Sequence, residues 1–192
     1  MMEPAVASRL IMGVEEKVAD SAGDFEELVT FYRPRIFRFA LASLRDRDAA
    51  ETITQDCFLN AYRARDRFRS ECSVQTWLMQ IAVNLIRDYS RSRRLQFWKR
   101  TRDAQPIEEL GAKAAGCEPS AEKRVLLTEQ VQAIWNAAAA LPDKQRTVFL
   151  LRFVEDMDLL EIAAVTGMKE GTVKTHLFRS LRTVRERIGA RI

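Results

Sequence analysis

The sequence predicts an all-α protein of two small helical domains joined by a flexible linker, the second containing a helix-turn-helix. Three observations predict it. Apolar residues recur at three- and four-residue steps over most of the chain, and no alternating strand pattern is long enough to compete. Seven Gly and five Pro among 192 residues are few, which favours long helices over turn-rich sheet. Residues 101–119 gather Pro106, Gly111, Gly116 and Pro119 among small and acidic residues, the composition of a linker. The expected organisation is a loose arm over 1–23, a helical domain over 24–100, an acidic linker over 101–120 and a second helical domain over 121–192.

The first domain opens at Asp24. Phe25, Leu28, Val29, Tyr32, Ile36, Phe37 and Ala40 form one stripe, with Pro34 as a point where the helix can kink. A second helix is expected over Asp48–Arg65, with Ile53, Cys57, Phe58, Ala61 and Tyr62 on one side. A third starts near Val74. Its stripe is Val74, Trp77, Leu78, Ile81, Ala82, Leu85 and Tyr89, and Thr76, Gln80, Val83, Arg87 and Arg94 are expected to face away. A short helical piece near Glu108 is expected inside the linker. Beyond it, Leu126 or Leu127, Val131, Ile134, Trp135 and Ala138 outline a further helix. Pro142 is well placed to open the next one.

The segment Asp158–Arg185 carries the most information. Asp158 can cap a helix, with Glu161 three positions on completing a capping box. Gly167 stands where that helix needs a left-handed residue to end. A second helix can begin near Glu170, with Val173, Leu177, Leu181, Val184 and Ile188 on one face. Thr172, Thr175, Arg179 and Arg182 project from the other. A major groove accepts a helix that offers hydroxyls and guanidinium groups to base edges, so the pattern points to DNA.

Charge supports this. The formal net charge of +4 hides two basic segments, 87–102 and 169–191, on either side of an acidic stretch from Asp103 to Glu122. Solvated helix faces are the plain alternative for either basic segment. No apolar run approaches a bilayer span, so membrane insertion is not expected, and the start lacks the pattern of a secretory signal. Cys57, Cys72 and Cys117 are odd in number and widely spaced. They suggest neither a disulfide framework nor a zinc site, and a cytoplasmic location follows. No metal-ligand spacing, nucleophile–base spacing or phosphate-cradling glycine loop appears. No cofactor, catalytic residue or enzymatic activity is therefore expected. His176, the one histidine, lies beside the proposed DNA-reading face.

A second nucleic-acid contact is expected over Phe68–Arg94. Separating strands requires a place for unstacked bases and cations for the backbone. Ser70, Cys72 and Ser73 leave room for a base edge. Phe68 or Trp77 can stack on a base, although Trp77 lies on the apolar stripe and core is its favoured place. Arg87, Arg91, Arg93 and Arg94 are candidates for phosphate contact, and Gln80 projects from the same helix.

Three stretches resemble one family. AAETITQDCFLNAYR, FRSECSVQTWLMQIAVNLIRDYSRSRR and LPDKQRTVFLLRFVEDMDLLEIAAVTGMKEGTVKTHLFRSLRTVRERI are similar, in this order, to the polymerase-docking, minus-ten-melting and minus-thirty-five-reading parts of bacterial RNA polymerase sigma factors of the extracytoplasmic-function (ECF) type. The resemblance implies docking on core RNA polymerase through Gln55, Asp56, Phe58, Leu59 and Tyr62. It places Asn84 and Arg87 on the minus-ten helix, and Thr172, Lys174, Thr175 and Arg179 on the minus-thirty-five helix. Val148, Phe149 and Leu151 would hold the polymerase flap tip or else pack the domain. Core RNA polymerase and promoter DNA are the implied partners, and an anti-sigma factor is a further candidate. Thr52, Thr54, Ser70, Val74 and Asp156 depart from the family's usual residues; at Asp156 a glycine is common. EGTVKTHL also resembles the recognition helix of LuxR-type regulators, the alternative reading. A protein that merely sequesters a partner through apolar helices is another.

Overall fold

The computed structural model describes residues 22–68, 71–103, 131 and 133–189, with side chains from 25 to 93 in the first stretches and throughout the last. Residues 1–21 of the expected arm, most of the linker, Ser70 and Cys117 lie outside the described residues, as do the piece near Glu108 and Leu126 and Leu127; Ala22 and Gly23 of the arm already belong to the first helix. The described residues are helical and contain no strand. α1 spans Ala22–Leu44, α2 Arg47–Ala64 and α3 Val74–Asp103. A 3-10 turn over Arg65–Arg67 follows α2. The remaining helices are α4 over 133–139, α5 Asp143–Phe153, α6 Leu159–Thr166 and α7 Glu170–Gly189. Among the described residues no helix is long and apolar enough to cross a membrane.

Local signals set the helix ends. Asp46 accepts a hydrogen bond from the Ala49 backbone N–H at 3.1 Å and starts α2. α1 runs on through Pro34, where Thr30 and Pro34 are both exposed, so the carbonyl that proline leaves unpaired can meet water. Ser73 opens α3: its Oγ accepts from the Thr76 N–H at 3.1 Å. Pro142 sits just ahead of α5, where its lack of an N–H costs nothing.

Leu28, Tyr32, Ile36, Phe39 and Ala40 of α1 meet Ile53, Cys57, Phe58 and Ala61 of α2 in one buried cluster. Burial pushes the Cys57 thiol up to about 12, so it stays protonated and behaves as a small apolar filler. Phe39 was not on the predicted stripe and is fully buried.

The buried face of α3 differs from the expected one. Thr76 and Val83, expected to face away, are buried, and so are Met79 and Ile86. The expected stripe assumed a helix covered on one side. Here α3 packs on α1 and α2 and also against α6 of the helix-turn-helix, so its buried sector is wider and rotated. Val148, Phe149 and Leu151 are likewise buried in the second unit, which favours the packing alternative for them.

Candidate nucleic-acid interface

The helix-turn-helix is built as its residues dictate. Asp158 accepts from the Glu161 N–H at 2.8 Å, and the Glu161 carboxylate accepts from the Asp158 N–H at 2.8 Å, closing the capping box. Gly167 ends α6 in the left-handed region at φ 69°, and its N–H returns to the Ala163 carbonyl at 2.9 Å. Val173 and Val184 of α7 are buried; Leu177, Leu181 and Ile188 pack around them. Ser180, which the apolar pattern does not single out, is fully buried and donates to the Leu177 carbonyl at 2.7 Å.

This packing leaves Thr172, Thr175, Arg179 and Arg182 exposed at steps of three and four residues, hence on one face of α7. Lys174 is exposed beside them, 2.6 Å from Glu170. Arg182 is held 2.8 Å from Glu186. Such exposed pairs contribute little and exchange readily for phosphate. His176 is half-buried at the edge of this face, and its Nδ1 is enclosed without a protein partner. Burial, then the charges of Lys144 and Arg179, hold its imidazole below the usual 6.5.

On α3, Gln80, Asn84, Arg87 and Arg91 are exposed. The Arg87 guanidinium donates to the Asn84 side-chain carbonyl, so these two side chains form one polar unit. Arg94 lies where only the backbone is described. Phe68 is half-buried, its ring 4.8 Å from that of Trp77, and both pack against the core. In this arrangement Phe68 is engaged with Trp77. The Ser73 hydroxyl is engaged too, at the start of α3 and 2.9 Å from the Thr76 Oγ1.

The expected docking residues of α2 divide. Gln55, Asp56, Leu59 and Tyr62 are exposed, whereas Phe58 is buried in the core at 7%. Tyr62 and Leu59, one turn apart on α2, expose 42% and 46% of their surface. The Tyr62 ring is steadied from two sides: Phe25 meets it edge-on at 5.2 Å and the Arg65 guanidinium sits 3.9 Å over it.

One set of polar residues escaped the sequence reading. Glu155, between α5 and α6, has a fully buried side chain, and it meets Arg35 and Arg38 of α1. Gln75 of α3 donates to the Glu155 backbone carbonyl at 2.9 Å, and Thr76 lies 3.5 Å from Glu161. Asp156 follows at φ 55°, a left-handed conformation that explains why a glycine would be at home there. The one available signal was an acid directly after the largely apolar run from Val148 to Val154.

Comparison with known proteins agrees with this layout. Residues 28–96 match the family described as Sigma-70 region 2, and residues 131–184 match Sigma-70, region 4. The chain is 30% identical over 176 residues to the ECF RNA polymerase sigma factor SigW of Bacillus subtilis, covering 85% of this chain and 88% of that one. It is 27% identical over 165 residues to the ECF RNA polymerase sigma-E factor of Escherichia coli K12, covering 85% and 86%. Two solved structures share the fold. One is the sigma factor RpoE with the anti-sigma factor NepR from Bartonella quintana (TM-score 0.66, 23% identity, 86% of this chain and 97% of that one). The other is CnrH with the cytosolic domain of CnrY (TM-score 0.63, 20% identity, 92% and 96%). The ordered pair of sigma-70 regions disfavours the LuxR-type alternative, which accounts for the helix-turn-helix alone. The chain belongs to the ECF-type sigma factors, the subunits that direct bacterial RNA polymerase to its promoters.

Proposed function

We propose that residues 24–100 form the unit that docks on core RNA polymerase and captures single-stranded minus-ten DNA, and that residues 121–192 form the unit that reads duplex minus-thirty-five DNA, with the acidic stretch 101–120 as their tether. Gln55, Asp56, Leu59 and Tyr62 make the docking patch, with Phe58 supporting it from below. Gln80, Asn84, Arg87 and Arg91 bind the opened strand, helped by Arg94. Ser70 and Ser73 border the site, and Phe68 together with Trp77 forms its apolar floor. Thr172, Lys174, Thr175, Arg179 and Arg182 read and grip the duplex. The exposed, evenly stepped polar face of α7 carries the reading.

The mechanism is one of binding energy alone. Neither unit needs high affinity, because engagement of the first raises the effective concentration of the second at its element. A side chain that reads a base supplies about 1–3 kcal/mol of discrimination. Captured bases drive strand opening, with no nucleotide hydrolysis by this chain, which acts as an initiation factor and not as an enzyme. It works in the cytoplasm, where polymerase and chromosome are. The solved neighbour RpoE sits with an anti-sigma factor, and this chain has the same class of partner.

The test is transcription in vitro with core polymerase. Arg179→Ala should reduce initiation at a promoter with an intact minus-thirty-five element and change little at one whose element is scrambled. Equal activity of variant and parent on the intact promoter would refute the recognition-helix assignment. Gln55→Ala with Asp56→Ala should weaken co-purification with core polymerase while leaving the helical content unchanged.

A further inference from the structure

A polar cavity of about 340 Å³ lies where three helices meet: the last turn of α1 at Ser43, the middle of α3 at Tyr89, Ser90 and Arg93, and the start of α5 at Asp143 and Arg146. The exposed face of α7 and the docking patch of α2 are not part of its lining.

Two of its residues carry polar atoms that the fold leaves unpaired. Ser43 is 8% exposed, and its Oγ is enclosed without a partner among the described residues. The Arg146 guanidinium gives its Nη1 and Nη2 to the carbonyls of Ser43, Ala139 and Leu141, and its Nε is enclosed with no partner there either. A guanidinium Nε can only donate, so the group that would satisfy it is an acceptor. Burial draws the Arg146 pKa down from its usual value, against the pull of the Asp143 carboxylate and with the push of Arg45. Negative charge placed beside this guanidinium would therefore be favourable. Arg93 adds a second cation. Its side chain is 64% exposed and stands 3.6 Å from Asp46, too far for a hydrogen bond, so the pair yields readily to a better acceptor. Two guanidiniums against the one Asp143 carboxylate leave the lining net positive.

A single water cannot answer for this space, since a water molecule occupies about 30 Å³. Small-molecule pockets begin near about 300 Å³ and combine an apolar wall with a few convergent polar groups. Here Leu44 and the Tyr89 ring supply the wall. We propose that this cavity binds a phosphate group, free or carried as the monoester of a small metabolite, with its oxygens accepting from Arg146, Arg93 and the Ser43 and Ser90 hydroxyls. The volume favours the monoester, whose organic part would rest along Tyr89 and Leu44. The site does not depend on the promoter reading above and would stand in a chain that bound no DNA.

Titration of the full chain followed by NMR tests it, with adenosine monophosphate, inorganic phosphate and adenosine as probes. The nucleotide should give saturable shifts at Ser43, Tyr89, Ser90 and Arg146, and should raise the thermal midpoint as its concentration rises. Inorganic phosphate should move the same resonances, and adenosine should not. Tighter binding of the nucleotide supports a phosphorylated metabolite as the source, and equal binding supports free phosphate. Arg93→Ala should weaken both phosphates by about tenfold or more, and Arg93→Lys by less. Ser90→Leu, which fills the cavity, should abolish binding with unchanged helix content by circular dichroism. No saturable shift at millimolar phosphate or nucleotide overturns the proposal. So does adenosine binding as well as its phosphate, undiminished affinity in Arg93→Ala and Ser90→Leu, or shifts confined to Thr175 and Arg179 on α7.

Discussion

At the scale of single residues, the most consequential side chains satisfy backbone groups. Asp158 and Glu161 settle two N–H groups at the start of α6, a helix of only eight residues whose ends are a large part of it. Asp158→Ala should destabilise the protein by about 1 kcal/mol, read as a lower urea midpoint with unchanged slope. His176 offers a different check. The folded chain favours its neutral form, so its midpoint should fall below 6.5 when followed by NMR. The sign follows: its contribution to stability is complete above 6.5 and is lost as pH falls through the depressed folded value. A midpoint at or above 6.5 in the DNA-free protein would contradict its enclosure beside Lys144 and Arg179.

At the scale of elements, the proposed DNA contacts of α7 and α3 rest on different packing. In α7 the apolar side packs inward and the outer face stays exposed, as the periodicity predicts, with Ser180 buried in addition. Each phosphate contact made by that face should show in the salt dependence of duplex binding. Arg182→Ala should weaken binding about equally across sequences and reduce the slope of log affinity against log salt by about 0.9. α3 is covered on two sides, and its residues are more constrained. Met79 is fully buried, and Met79→Ala should cost about 2–5 kcal/mol through the cavity it leaves, measurable as a lower thermal midpoint. The predicted stripe missed Met79 because a helix facing two neighbours has no single polar side.

At the scale of the whole molecule, a few polar groups join the units. Arg146 donates to the carbonyls of Ser43, Ala139 and Leu141 at 2.8–2.9 Å, tying the end of α1 to the turn before α5. A planar, forked donor is needed for this, which lysine lacks. Arg146→Ala should therefore destabilise the chain by about 2–3 kcal/mol. Arg146→Lys should recover only a minor part in the same denaturant titration.

Helix type, the turn at Gly167, the cap at Asp158 and the exposed face of α7 were all legible in the chain, because each follows from contacts a few residues apart. The resemblance of three ordered stretches gave the family for the same reason: local motifs survive when read one at a time. Glu155 with Arg35 and Arg38, Thr76 under Glu161, the burial of Val83 and the exposure of Tyr62 were decided only by tertiary structure. Their partners stand up to 120 positions away. No periodicity encodes such a distance; only the packing of one helical unit against another determines which polar residues lose water and which keep it.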